Sequence, residues 1–163
     1  MKKLVYLLLV IFFAASHLSA QKADSLLNFI VSHKDKSSIY LVKNDTVVAK
    51  LNEHKKMPLA STVKVLVAIE FAKQVGAGVL SESTLVPTAE LNKYYIPLTD
   101  GGAHEGWLAY EKNLGHLKND SVSLLNIARG MILFSSNANT EYLMDLLGID
   151  NVKNNLQLMG ITE

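Results

Sequence analysis

Along most of this chain, apolar residues recur at intervals of three and four, which is the spacing of one buried helix face. The pattern predicts helices over residues 26–31, 61–75, 121–134 and 142–147, and a last short helix through residue 158. Glycine favours the left-handed backbone that closes a helix, so Gly76 and Gly148 mark two of the ends. We expect Asp150 to cap the last helix, and Ser135-Ser136-Asn137 to break or cap the chain between two others.

A different pattern precedes the second of these helices. Ile39–Val42 and Val47–Ala49 are short runs rich in β-branched residues, separated by Asn44-Asp45. Asn and Asp tolerate the positive φ of a tight turn, so the segment predicts a β-hairpin. Because the first run is apolar at successive positions, we expect it to be covered on both faces.

Two stretches are predicted as irregular chain. Thr84–Glu90 contains a proline and is interpreted as a connection. The glycine-rich run Gly101–Gly106 holds His104 beside Glu105 and is interpreted as an exposed loop. Adjacent side chains diverge on most backbones, and no further His or Glu lies at a useful helical offset, so a solvated loop is favoured over a metal site.

The first twenty residues have the organisation of a signal peptide. A basic start, Met1–Lys3, is followed by apolar Leu4–Ala15 and by a small-residue end at Ala20. The apolar run is shorter than the ~20 residues that span a bilayer, which argues against an anchor. We therefore predict cleavage after Ala20, a mature chain of residues 21–163, no stable membrane insertion, and a periplasmic or secreted location.

Composition narrows the classes of function. The chain has 16 Lys and Arg against 15 Asp and Glu; removing residues 1–20 takes away two lysines, which leaves 14 against 15 and a net charge of −1. Such a chain has no basic field to attract nucleic acid. No cysteine is present, so thiolate metal sites are excluded and stability must come from packing. We expect one core, a monomer, and no metal or cofactor.

The candidate chemistry lies at the start of the helix predicted from residue 61. Ser61 and Lys64 are one helical turn apart, so a hydroxyl and an amine share a face. Helix N-terminal N–H groups favour an oxyanion, and a lysine among apolar residues is more easily neutral and basic. The pair can therefore be an activated nucleophile and its base. The same tetrapeptide also occurs as an ordinary helix start followed by a surface lysine.

A second motif makes the interpretation more specific. Ser61-Thr62-Val63-Lys64, followed at a distance by Ser135-Ser136-Asn137 and an apolar helix, resembles class A β-lactamases and penicillin-binding serine hydrolases over the mature chain. The resemblance implies that Ser61 is acylated and that Lys64 accepts or relays its proton. It also implies that Ser135 passes a proton to the leaving nitrogen, and that Asn137 binds the substrate's side-chain amide and Lys64.

The resemblance also implies a fold and shows departures from the family. The fold class is α/β of the α+β type: a helical subdomain plus the N-terminal hairpin of an antiparallel sheet, in a partial domain over residues 21–163. Class A enzymes carry Asp where Ser136 stands. The sequence ends at Glu163, before the family's glutamate loop, its Lys-Thr-Gly strand and the remaining strands. We therefore expect one oxyanion donor and no deacylating glutamate within this sequence.

Three functions remain open at this point. The favoured one is an exported serine β-lactamase-type hydrolase that opens β-lactam amides through an acyl-enzyme on Ser61. The second is a D-alanyl peptidase or esterase of the penicillin-binding type, towards which Ser136 leans. The third is an inactive truncated fragment that binds a β-lactam or a cell-wall peptide. Chance occurrence of both motifs in a helical exported domain is the remaining alternative.

Overall fold

A computed structural model describes residues 25–161 of the chain, which divides into two compact units, Met1–Pro58 and Leu59–Glu163. The predicted signal peptide, residues 1–20, lies outside the described residues. Within the described part, helices combine with two small antiparallel sheets, which confirms the mixed α/β class. No helix in this part of the chain has the length and apolarity needed to cross a membrane.

The first unit consists of a helix and a hairpin. Helix α1 covers residues 25–32, as its apolar spacing predicts, and a short 3-10 turn follows at Lys34–Lys36. Strands β1 (Ile39–Lys43) and β2 (Thr46–Leu51) pair antiparallel across a turn at Asn44-Asp45. Both turn residues have positive φ, at 48° and 60°, so the hairpin prediction is confirmed together with its turn.

The prediction that β1 is covered on both faces is wrong. Tyr40, Leu41 and Val42, which point to alternating sides of the strand, are all exposed. A two-stranded ribbon buries little of either face. The run of apolar residues therefore predicts the strand correctly, but it does not predict that the strand is exposed.

The second unit is largely helical. A 3-10 turn at Ala60–Val63 leads directly into the first long helix of the unit. Its α-helices and strands, in chain order, are α2 (Lys64–Gly76), β3 (Leu85–Pro87), α3 (Thr88–Asn92), α4 (Ala103–Asn113), β4 (Ser121–Ser123), α5 (Leu124–Leu133), α6 (Asn137–Leu147) and α7 (Ile149–Leu158).

The core of this unit lies among α2, α4, α5 and α6. Each contributes apolar side chains that are fully buried, among them Val67, Trp107, Ile127 and Leu143. Gly130 on α5 allows the close approach, because a Cβ there would lie 2.4 Å from Trp107 Nε1 and 2.5 Å from Asn139 Nδ2. The wide apolar face predicted for α5 is thus confirmed as a buried face.

Two local predictions are corrected by the structure. Thr84–Glu90 is not simple connecting chain: it contains β3 and the start of α3. The helix expected from residue 121 begins at Leu124, because Ser121–Ser123 pairs with β3. Val86 and Val122 lie opposite each other and are both buried. The pairing of two strands so far apart in sequence cannot be predicted from local periodicity.

The ends of α6 and α7 agree with the sequence predictions at most positions. Ser136 caps α6, since its Oγ accepts a hydrogen bond from the N–H of Asn139. The last helix ends at Leu158 as predicted, but Asp150 lies inside its first turn and Gly148 stands at the N-cap position, so the predicted cap is wrong. Gly148, with φ of 84°, separates α6 from α7.

Candidate active site

The first motif lies at the entry to α2. Ser61 belongs to the 3-10 turn, and the α-helix itself begins at Lys64, three residues later than the apolar pattern predicts. Ala60 has a positive φ of 44°, which turns the chain into this entry. Ser61 is exposed, whereas Lys64 is only 5% exposed. The hydroxyl is therefore accessible and the amine is held in the interior.

The second motif lies between α5 and α6. Ser135 has a left-handed backbone, with φ of 64°, and this is an uncommon conformation for a residue other than glycine. It brings the Ser135 hydroxyl to the first motif, where its Oγ lies 2.8 Å from Ser61 Oγ. Strained backbone of this kind is often found at functional sites.

Lys64 joins the two motifs through three hydrogen bonds. Its ammonium donates to Ser135 O at 2.6 Å, to Ser135 Oγ at 3.0 Å and to Asn137 Oδ1 at 2.9 Å. In the described part of the chain, Lys64 has no carboxylate partner. Its connection to Ser61 therefore runs through the Ser135 hydroxyl, and the structure brings all four predicted site residues into one continuous network.

The electrostatics of the network favour the neutral form of the Lys64 amine. Burial lowers the pKa of Lys64 from its ordinary value, because desolvation disfavours the charged form, and the negative charge of Asp100 opposes this change. The three acceptors are neutral oxygens. Lys64 is consequently closer to giving up its proton near neutral pH than a solvated lysine would be.

A cavity opens beside these groups. It has a volume of about 280 Å³ and is lined by three of the four site residues, Ser61, Lys64 and Ser135, together with Thr62, Val65, Met131 and Ile132. A cavity of about 320 Å³ elsewhere in the unit, beside Leu85 and His116, includes none of the four site residues. The smaller cavity is the candidate site because only it adjoins a hydroxyl linked to a lysine.

The middle residue of the second motif points away from this cavity. Ser136 is fully buried, and its Oγ also lies 3.1 Å from Nδ1 of His104. His104 was predicted in an exposed loop, but it lies on α4, is 1% exposed, and stacks on Tyr95 with ring centroids 5.0 Å apart. Ser136 therefore supports the start of α6.

Positive φ values at Gly101 and Gly102 explain why the loop prediction failed. They turn the chain sharply, so that α4 begins at Ala103 and carries His104 inward. Burial lowers the pKa of His104, and the negative charge of Asp100 opposes this change. The imidazole is thus neutral at pH 7.

Asp100 is a second residue that sequence reasoning missed. Its Oδ1 accepts from the N–H of Ala103 at 3.1 Å, and its Oδ2 accepts from the N–H of Asn137 at 3.3 Å. An Asp before a helix is a recognised start signal. The sequence analysis does not assign this role to Asp100, because it interprets the residues after Asp100 as a loop rather than as the start of α4.

Residues 25–161 contain no cluster of three or more His, Cys, Asp or Glu side chains placed to hold a metal ion. In comparisons with known proteins, the family model described as the beta-lactamase enzyme family matches residues 21–163. No curated protein matches the chain, and no solved structure matches it either.

Proposed function

Because the chain belongs to the beta-lactamase enzyme family, we propose that it is an exported serine hydrolase that opens β-lactam amides through an acyl-enzyme on Ser61. The observation that carries this proposal is the hydrogen-bonded path from Ser61 Oγ through Ser135 Oγ to Lys64 Nζ. An exposed hydroxyl connected to a desolvated amine is the arrangement that nucleophilic catalysis requires.

The proposed reaction begins with proton transfer from Ser61. In the neutral-amine state, Lys64 takes this proton by way of the Ser135 hydroxyl, which is the direct neighbour of Ser61 Oγ at 2.8 Å. Ser61 Oγ then forms a bond to the lactam carbonyl carbon, and the backbone N–H of Ser61 supports the oxyanion. General base catalysis of this kind contributes about 100- to 10,000-fold.

Collapse of the oxyanion breaks the carbon–nitrogen bond of the lactam. The Ser135 hydroxyl gives its proton to the departing nitrogen and recovers one from Lys64, which returns Lys64 to its neutral form. The proton count therefore balances across acylation. The position of Ser135, in contact with both Ser61 and Lys64, suits it to both transfers.

Asn137 is proposed to orient the substrate. Its Oδ1 accepts from Lys64, while its Nδ2 makes only a long contact of 3.5 Å with Thr99 O. That amide N–H is available to a carbonyl of the substrate's side-chain amide. The alternative function as a D-alanyl peptidase or esterase gains nothing from Ser136, because that side chain caps α6 and faces His104.

The test is intact-mass spectrometry of the purified protein after incubation with a penicillin. We expect an adduct of one penicillin on the parent chain and none on Ser61→Ala. Ser83→Ala, which removes an exposed hydroxyl elsewhere in the unit, is the matched control and should be acylated like the parent.

An adduct that persists in Ser61→Ala would contradict the assignment of the nucleophile. A parent chain that is folded by circular dichroism, forms no adduct and releases no ring-opened penicillin would contradict acyl-enzyme chemistry and favour the binding-protein alternative. Parallel incubation with a D-alanyl-D-alanine peptide or ester, followed by product analysis, separates the peptidase alternative from the β-lactam reaction.

A further inference from the structure

One carboxylate lies between the starts of two helices in the second unit. Asp100 accepts the N–H of Ala103, the first residue of α4, and the N–H of Asn137, the first residue of α6, one on each carboxylate oxygen. Both N–H groups belong to helix N-termini, where a negative charge is favourable. Asp100 therefore holds these two helix starts in register with each other.

The α6 contact leads directly to the proposed catalytic base. The backbone N–H of Asn137 is bound by Asp100, and the side-chain Oδ1 of the same residue accepts from Lys64 at 2.9 Å. Thr99, adjacent to Asp100, accepts the other end of the Asn137 amide. Asp100 thus holds Asn137 at its backbone, and the long contact with Thr99 leaves the Asn137 side-chain N–H available.

The charge on Asp100 is not neutralised by a nearby cation. Among residues 25–161, no Lys, Arg or His forms a salt bridge with it. His104 also faces Asp100, but this buried imidazole is neutral at pH 7. The groups hydrogen-bonded to Lys64 are neutral as well, and the negative charge of Asp100 raises the pKa of Lys64 against the larger effect of burial.

We propose that Asp100 is a positioning residue of this site: its carboxylate fixes Asn137 at the start of α6, and Asn137 in turn holds the ammonium of Lys64 through its side-chain oxygen. The role as a positioning residue for catalysis rests on the proposed function, whereas the charge coupling to Lys64 can be measured without it. The charge of Asp100 raises the pKa of Lys64, whereas burial lowers it.

The first measurement is the titration of Lys64 itself. Protein labelled with ¹³C at the lysine Cε is followed by NMR as pH rises, and the Lys64 signal is identified by its loss in Lys64→Arg. Removing a nearby negative charge disfavours the ammonium form, so Asp100→Asn should lower the Lys64 pKa. Asp120→Asn, which neutralises an exposed aspartate in a turn, should leave it unchanged.

The second measurement is the pH dependence of acylation by a penicillin. If neutral Lys64 is the base, the rate rises as Lys64 loses its proton, and Asp100→Asn should move this rise to lower pH by the same amount. A purely structural role would reduce the rate at every pH without moving its midpoint. Asp100→Ala, which removes the charge without placing an amide donor against two N–H groups, is read in the same way if the Asn variant is poorly folded.

An unchanged Lys64 pKa in folded variants that lack the Asp100 charge would overturn the inference. Failure of the proposed function has a different signature. In that case the parent chain forms no adduct, while the NMR titration still reports whether Asp100 acts on Lys64.

Discussion

Helix α2 carries two lysines in different surroundings, Lys64 in its first turn and Lys73 in its last. Lys64 is 5% exposed and donates only to neutral oxygens of Ser135 and Asn137. The Lys73 side chain is 48% exposed and donates at 2.9 Å both to the Glu70 carboxylate and to Asn155 Oδ1.

The polar groups around Lys73 and those around Lys64 also differ in whether their charges are paired. Burial opposes ionisation of Glu70, but hydrogen bonds from Lys73, Gln74 and Asn155 bring its pKa below the ordinary value. That cluster satisfies its own charges and joins α2 to α7. In the Lys64 cluster, the lysine faces neutral oxygens and an exposed hydroxyl follows in the network. The comparison teaches that two lysines of one helix can have opposite surroundings: Lys73 is paired with a carboxylate, and Lys64 is surrounded by neutral oxygens.

The largest expected difference between the two lysines is in the rate of acylation, and it is tested by removing each amine in turn. Lys64→Met should reduce the rate of penicillin acylation by about 100- to 10,000-fold, because it removes the proposed general base. Lys73→Met removes the same group from the same helix and should leave the acylation rate unchanged. Time-resolved intact-mass measurement of both variants checks this, and equal rate losses would show that loss of helix integrity explains the effect.

Removal of the Glu70 carboxylate should act on stability rather than on rate. Glu70→Ala leaves the buried Asn155 Nδ2 without the acceptor that it now has at 3.1 Å. An unsatisfied buried donor costs about 1–3 kcal/mol, so the free energy of unfolding measured in urea should fall by about that amount. Glu90→Ala, in an exposed pair with Lys93, should change it much less. An acylation rate that falls in the folded Glu70→Ala protein would contradict the separation of the two clusters.

The smallest expected effect is a change in acid sensitivity. Because the folded pKa of Glu70 lies below its ordinary 4.5, the unfolded chain binds more protons in the range just below pH 4.5. The stability from Glu70 is therefore fully present above that pH and lost as pH falls through the folded pKa. Glu70→Gln should flatten this part of the curve of unfolding free energy against pH. An unchanged acid slope would show that Glu70 is not stabilised as an anion.

The residues of the candidate site could be predicted from the sequence, whereas some of the residues that surround them could not. Ser61, Lys64, Ser135 and Asn137 were chosen from two short motifs, and the structure brings these four residues together; their catalytic roles stay predictions. The hairpin and the helices over α5 to α7 follow from local periodicity and turn residues. His104 and Asp100 could not be placed, because their contacts depend on how two glycines with positive φ direct the chain into α4.

Local chemistry along the chain was sufficient to specify the turn at Asn44-Asp45, the break before α6, and the hydroxyl and amine of the first motif, since each depends on residues within a few positions of one another. The pairing of β3 with β4, the burial of His104, and the Asp100 contact with Asn137 required the folded chain. Each of these joins segments far apart in sequence, and a long-range contact is decided by packing that no local pattern encodes. The lowered pKa of Lys64 belongs to the second group, because it depends on burial among residues that come together only after the helices have packed.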